Sequence, residues 1–119
     1  MVIDDDTIHL ELTKNFLQQD YDVTIVKSCG EALKLLYQGL APGLIFLDLM
    51  MPDTDGWQTY ERIRGISNLH NVPIAIFTVS DSQDDMNRAK KMGAIDYIKK
   101  PCTQEELLKR VKRNLGGNR

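Results

Sequence analysis

The chain has 119 residues, 42% hydrophobic and 27% charged, with a formal net charge of -2. That length suits one domain with its own core, and the charge balance offers no general attraction to nucleic acid or to an anionic membrane. No apolar run approaches the ~20 residues of a membrane span, no signal-peptide core is present, and Cys29 and Cys102 lack the spacing of a zinc site or disulfide framework, so the cytoplasm is the expected compartment.

Short β-branched runs alternate with amphipathic segments five times. Residues 1–3 read as the visible end of a first strand. So few residues before Asp4-Asp5-Asp6 point to a trimmed N-terminus. A helix over about 6–19 follows, with Ile8, Leu12 and Phe16 at every fourth position as its expected apolar stripe. Residues 21–26 form the second predicted strand. Ser28 and Glu31 have the spacing of a capping box, which satisfies two free helix amides reciprocally and opens a helix to about residue 38. The continuous apolar run 44–47 marks a third strand buried on both faces. After a loop over 48–55, a helix runs over about 56–66. Residues 73–78 form the fourth strand, and 83–92 a helix closed by Gly93 as a left-handed cap. Residues 95–99 form the fifth strand. A second capping box, Thr103 with Glu106, opens a last helix in which Leu107, Leu108, Val111 and Leu115 share one face. Residues 116–119 read as a frayed end or linker start, leaving 1–119 as a single domain. Five β-α units imply a doubly wound α/β fold: a five-stranded parallel sheet with helices on both faces.

Open α/β sheets bind ligands at the carboxyl ends of their strands. Strand one ends in Asp4-Asp5-Asp6, strand three in Asp48, strand four in Thr78-Val79-Ser80 and strand five in Lys99-Lys100-Pro101, whereas strand two ends blandly in Lys27-Ser28. Three carboxylates (Asp4, Asp5, Asp48) at one edge repel each other. Two unit charges about 4 Å apart cost roughly 4 kcal/mol at an effective dielectric near 20. Either one carboxyl is protonated or a cation sits among them, and hard oxygen ligands favour Mg²⁺ or Mn²⁺. A divalent ion beside an ammonium (Lys100) and a hydroxyl (Thr78) suits a phosphoryl group, with a central carboxylate as nucleophile. Each residue alone has an ordinary reading: a helix cap for the Asp run, a loop acid for Asp48, a strand-end threonine, a solvated lysine. Their joint placement at four strand ends favours the chemical one. Lys109, Arg110, Lys112 and Arg113 read mostly as solvated surface complementing a helix C-terminus, and His9 and His70 show no partner spacing.

With Asp4-Asp5, the run Leu47-Asp48-Leu49-Met50-Met51-Pro52-Asp53-Thr54-Asp55-Gly56, Thr78 and Lys100-Pro101, the chain resembles the CheY-like response-regulator receiver family over essentially its whole length. The spacings fit as well, thirty residues from Asp48 to Thr78 and twenty-two from Thr78 to Lys100. The resemblance implies a flavodoxin-like strand order, 2-1-3-4-5. It implies a signalling phosphoacceptor rather than an enzyme, one that assists its own phosphotransfer and dephosphorylation. Asp48 would be phosphorylated by a sensor histidine kinase or histidine phosphotransfer protein. Mg²⁺ would be held by Asp5, Asp48 and the Met50 backbone carbonyl, and by Asp4 through a water. Lys100 would pair with the phosphate across a cis Lys100–Pro101 peptide, and Thr78 and Tyr97 would act as switch residues. The last two helices and strand five would form the output surface for an unnamed partner, with phosphorylation-linked dimerisation through the last helices. Val79 and Thr54 depart from the family's commonest pattern, and Val79 is expected to narrow access to Asp48.

Two other readings compete. Asp4-Asp5-Asp6-Thr7 echoes the Asp-x-Asp motif of haloacid-dehalogenase phosphatases, but Ile8 stands where that motif wants Thr or Val, and the chain is short for a capped enzyme. A phosphorylation-independent binding module typically loses the acceptor, an acidic partner or the lysine, and all are present.

Overall fold

A computed structural model describes residues 1–52 and 54–115, with Thr54 through its backbone alone. Residues 116–119, expected as a frayed end, lie outside the described residues, as does the Thr54 side chain. In chain order the elements are β1 (Val2–Ile3), α1 (Thr7–Leu17), β2 (Ile25–Val26), α2 (Cys29–Tyr37), β3 (Ile45–Leu47), α3 (Gly56–Arg64), β4 (Ile74–Thr78), α4 (Gln83–Met92), β5 (Asp96–Lys99) and α5 (Gln104–Asn114). The five strands form one parallel sheet in the order β2-β1-β3-β4-β5, as the resemblance implied.

Alternation along each strand divides the core in two. Ile3, Ile45, Leu47, Ile74 and Ile76 pack on one face with Ala32, Leu36, Tyr60, Ile63 and Ala89 of α2, α3 and α4. Val2, Phe46, Ala75 and Phe77 pack on the other with Leu10, Leu17, Leu107 and Val111 of α1 and α5. Both faces of β3 and β4 are therefore covered, which is why these segments read as unbroken apolar runs. Burial of each such aliphatic side chain stabilises by roughly 1.5–3 kcal/mol.

Several expectations need correction. Of the expected Ile8, Leu12, Phe16 stripe only Phe16 packs against the core: Ile8 is 77% and Leu12 46% exposed, while Leu10, Thr13 and Leu17 form the buried face of α1. The second strand is paired only over Ile25–Val26, because this edge strand has only the two-residue β1 as partner. The segment expected as loop after β3 contains an antiparallel ladder, Met50–Met51 with Thr54–Asp55. The serine and threonine halves of both capping boxes form, Ser28 Oγ accepting from Glu31 N and Thr103 Oγ1 from Glu106 N, each at 3.1 Å. Glu106 turns instead towards Arg110, 3.6 Å away. Gly93 caps α4 with φ of 93°.

A cavity of about 370 Å³ opens at the amino-terminal end of the sheet, lined chiefly by apolar residues such as Leu17, Leu44, Phe46 and Leu115. Asp4, Asp5, Asp48 and Lys100 converge at the opposite end.

Candidate functional site

Parallel pairing sets the ends of β1 and β3 side by side, with Ile3 opposite Leu47, so the residues that follow, Asp4 and Asp48, emerge together. Both are buried. Asp4 Oδ1 accepts from the amide of Asp6 at 2.9 Å, and Asp48 Oδ1 from that of Met50 at 2.9 Å. These tight turns leave each second oxygen facing inward. Lys100 follows β5, its amide bonded to the Thr78 carbonyl at 2.8 Å, and the Lys100–Pro101 peptide is cis. The Lys100 ammonium donates to Asp48 Oδ2 at 3.1 Å and also to Asp4 Oδ2. It lies 5.2 Å from the Phe77 ring centroid. Lys100 is buried, which corrects the ordinary solvated reading of that residue.

Asp5, exposed, completes the cluster: one oxygen each from Asp4, Asp5 and Asp48 lie within 4.8 Å of one another. Asp6 is the cap, its Oδ1 accepting from the amides of Ile8 and His9. The acidic run thus combines both readings, two site carboxylates and one helix cap. Burial pushes the Asp4 carboxyl above its ordinary range, and the neighbouring Asp48 charge adds to the effect, while Lys100 opposes it. One ammonium faces three acids, so the cluster still has room for positive charge. The oxygen-only donor set suits a hard divalent ion.

Thr78 is fully buried at the end of β4. Its Oγ1 lies 3.5 Å from the Ser80 amide. Tyr97 sits on β5 opposite Ile76 of β4, and its hydroxyl donates to the Ser80 carbonyl at 2.9 Å, tying β5 to the loop that follows Thr78. Ser80 Oγ in turn donates to Asp85 of α4 at 2.6 Å. Met50 and Val79 carry exposed side chains, Val79 at 48%.

A family model for the response regulator receiver domain matches residues 1–112. The chain belongs to this family. Receiver domains are signalling modules, and the fold agrees with solved examples. The chain is similar to a CheY-like receiver domain protein from Methanospirillum hungatei, with a TM-score of 0.86 at 27% identity over 98% of this chain and 91% of that one. The receiver domain of a signal transduction histidine kinase from Syntrophus aciditrophicus has a TM-score of 0.83 at 31% identity, covering 98% and 88%. The chemotaxis protein CheY4 of Vibrio cholerae has a TM-score of 0.86 at 27% identity, covering 94% and 93%.

Two features of this receiver domain escaped the sequence reading. His9, given no role, places Nδ1 3.5 Å from the Lys100 ammonium. The cap at Asp6 was the available signal, since it sets His9 at the third position of α1, beside the acidic strand end. Arg110 and Arg113 are not simply solvated: they donate to the two oxygens of Asp96 at 2.7 and 2.8 Å, and Asn114 adds a bond at 2.9 Å.

Proposed function

We propose that this receiver domain accepts a phosphoryl group on Asp48 from a phosphohistidine of a sensor histidine kinase or phosphotransfer protein. The observation that carries the reading is a buried Asp48 with its free oxygen 3.1 Å from a buried Lys100 ammonium. In the transfer, an Asp48 oxygen forms the new bond to phosphorus as the phosphorus–nitrogen bond of the donor breaks, and the departing imidazole keeps the electron pair and takes up a proton. Lys100 holds the negative oxygens of the arriving group, and the Thr78 hydroxyl donates to one of them once it leaves its buried position. Asp5, Asp48 and the Met50 carbonyl would hold Mg²⁺, with Asp4 acting through a water. When bound, the ion supplies positive charge to the phosphoryl oxygens.

Tyr97 is the readout in this proposal. Its bond to Ser80 ties it to the loop that Thr78 would pull on, so a dianionic group at Asp48 biases the ring and the surface of α4, β5 and α5. That surface is where an output partner or a second copy of the chain would bind. The unit is a cytoplasmic switch rather than an enzyme with an external substrate.

The test is incubation with acetyl phosphate and Mg²⁺, followed by intact mass, beside Asp48→Asn and EDTA controls. A single phosphoryl adduct that requires both Mg²⁺ and Asp48 is the expected result. A folded protein with neither adduct nor Mg²⁺ binding would instead be a binding module that works without phosphorylation.

A further inference from the structure

An ammonium has three N–H donors and no acceptor. Two of those of Lys100 meet carboxylates, Asp4 Oδ2 and Asp48 Oδ2, and among the described residues the remaining polar contact is His9 Nδ1 at 3.5 Å. Facing a group that only donates, Nδ1 can join this contact only as an acceptor, with the ring proton on Nε2. The contact joins unequal partners: the Lys100 side chain is 5% exposed and that of His9 39%. His9 is held by its helix, since its amide bonds to the Asp6 cap at 3.3 Å.

We infer that His9 is a positioning residue for Lys100, fixing the direction of the ammonium between Asp4 and Asp48. Lysine is a point charge on a flexible four-carbon stem, so two acceptors leave it a swing that a third removes. The consequence for phosphoryl transfer rests on the phosphoacceptor reading: Lys100 already aimed at Asp48 needs no search when the phosphoryl oxygens arrive. A competing arrangement exists on the same ring. Nδ1 also lies 3.5 Å from Asp6 Oδ2 and 3.9 Å from Asp4 Oδ2. A proton on Nδ1 shared with Asp6 would leave Lys100 indifferent to His9.

Asparagine and glutamine separate the two arrangements, because the asparagine amide oxygen reaches the place of Nδ1 whereas the glutamine amide reaches that of Nε2. The readout is the solvent exchange of the Lys100 ammonium protons by ¹⁵N–¹H correlation of the full chain, assigned through Lys100→Arg and made without any phosphoryl donor. Exchange should quicken about five-fold in His9→Ala and His9→Gln, the scale of one hydrogen bond, and return to the wild-type rate in His9→Asn. All three variants should remain folded, with cooperative urea transitions. The rate of adduct formation with acetyl phosphate should fall in His9→Ala and His9→Gln and recover in His9→Asn. Equal exchange in wild type and His9→Ala, or no protected Lys100 signal in the wild type, overturns the inference. Exchange that follows His9 in a protein that takes no phosphoryl group upholds the positioning role and overturns the phosphoacceptor reading.

Discussion

At Gly56 an added Cβ would sit 2.8 Å from Leu49 Cα and 3.1 Å from the Asp48 carbonyl oxygen. Both neighbours are backbone, so neither can swing aside. Asp55, one residue earlier, caps α3 by accepting from the Trp57 amide at 2.9 Å, which holds the helix start against the segment that carries Asp48. Gly56→Ala should therefore destabilise by about 1–3 kcal/mol, the usual range for overpacking, and also slow adduct formation by shifting Asp48. The urea midpoint and the initial adduct rate measure the two effects, and an unchanged midpoint would contradict the packing argument. At this scale the sequence was informative wherever chemistry and a strand end coincided. Asp4, Asp5, Asp48 and Lys100 were legible because few other residues could follow their strands with such charge. His9 was not, because its partner lies 91 residues away and only the docking of α1 brings the two together.

Asp96 shows how one side chain fastens an element. Its carboxylate, at the start of β5, receives Arg110, Arg113 and Asn114 from α5 and the amide of Tyr97. Burial alone would raise its carboxyl, but the hydrogen bonds from Asn114, Arg110 and Tyr97 outweigh burial and hold it below the ordinary value of 3.8. A depressed carboxyl gives stability that is present above 3.8 and is lost as pH falls through the folded value, because there the unfolded chain binds the proton more readily. Below pH 3.8 the wild type should lose stability with falling pH more steeply than Asp96→Asn, as read from urea midpoints at successive pH values; parallel profiles would rule out this linkage. Helix α1 illustrates what remained hidden. At 100° per residue, Ile8, Leu12 and Phe16 and the buried Leu10, Thr13 and Leu17 make two stripes centred about 130° apart. Periodicity finds both and cannot choose between them. The choice belongs to the partner, since Leu10 and Leu17 share a core with Leu107 and Val111 of α5. The capping residues, by contrast, act within one turn and were legible at Ser28, Thr103 and Gly93.

Across the whole molecule, the order of the fold is what gathers the charge. Alternating β and α segments specify parallel strands, parallel strands share one carboxyl edge, and residues as distant as Asp4, Asp48 and Lys100 become neighbours there. Strand lengths were less legible, since pairing depends on how much partner strand stands alongside. In the unfolded chain Asp5 and Asp48 are far apart in sequence, so a divalent ion that needs both binds the native state selectively and stabilises it by mass action. At free Mg²⁺ ten times its dissociation constant the gain is about 1.4 kcal/mol, roughly 5 °C in melting temperature for a domain of this size. Asp48→Asn removes one negative charge from a cluster in which one ammonium faces three acids. It should therefore melt higher than the wild type without Mg²⁺ and gain less when Mg²⁺ is added. Thermal melts of both proteins with MgCl₂ and with EDTA measure the two shifts. A wild-type melting temperature indifferent to Mg²⁺ would mean that Lys100 alone balances the cluster, and the ion would then have no part in the switch.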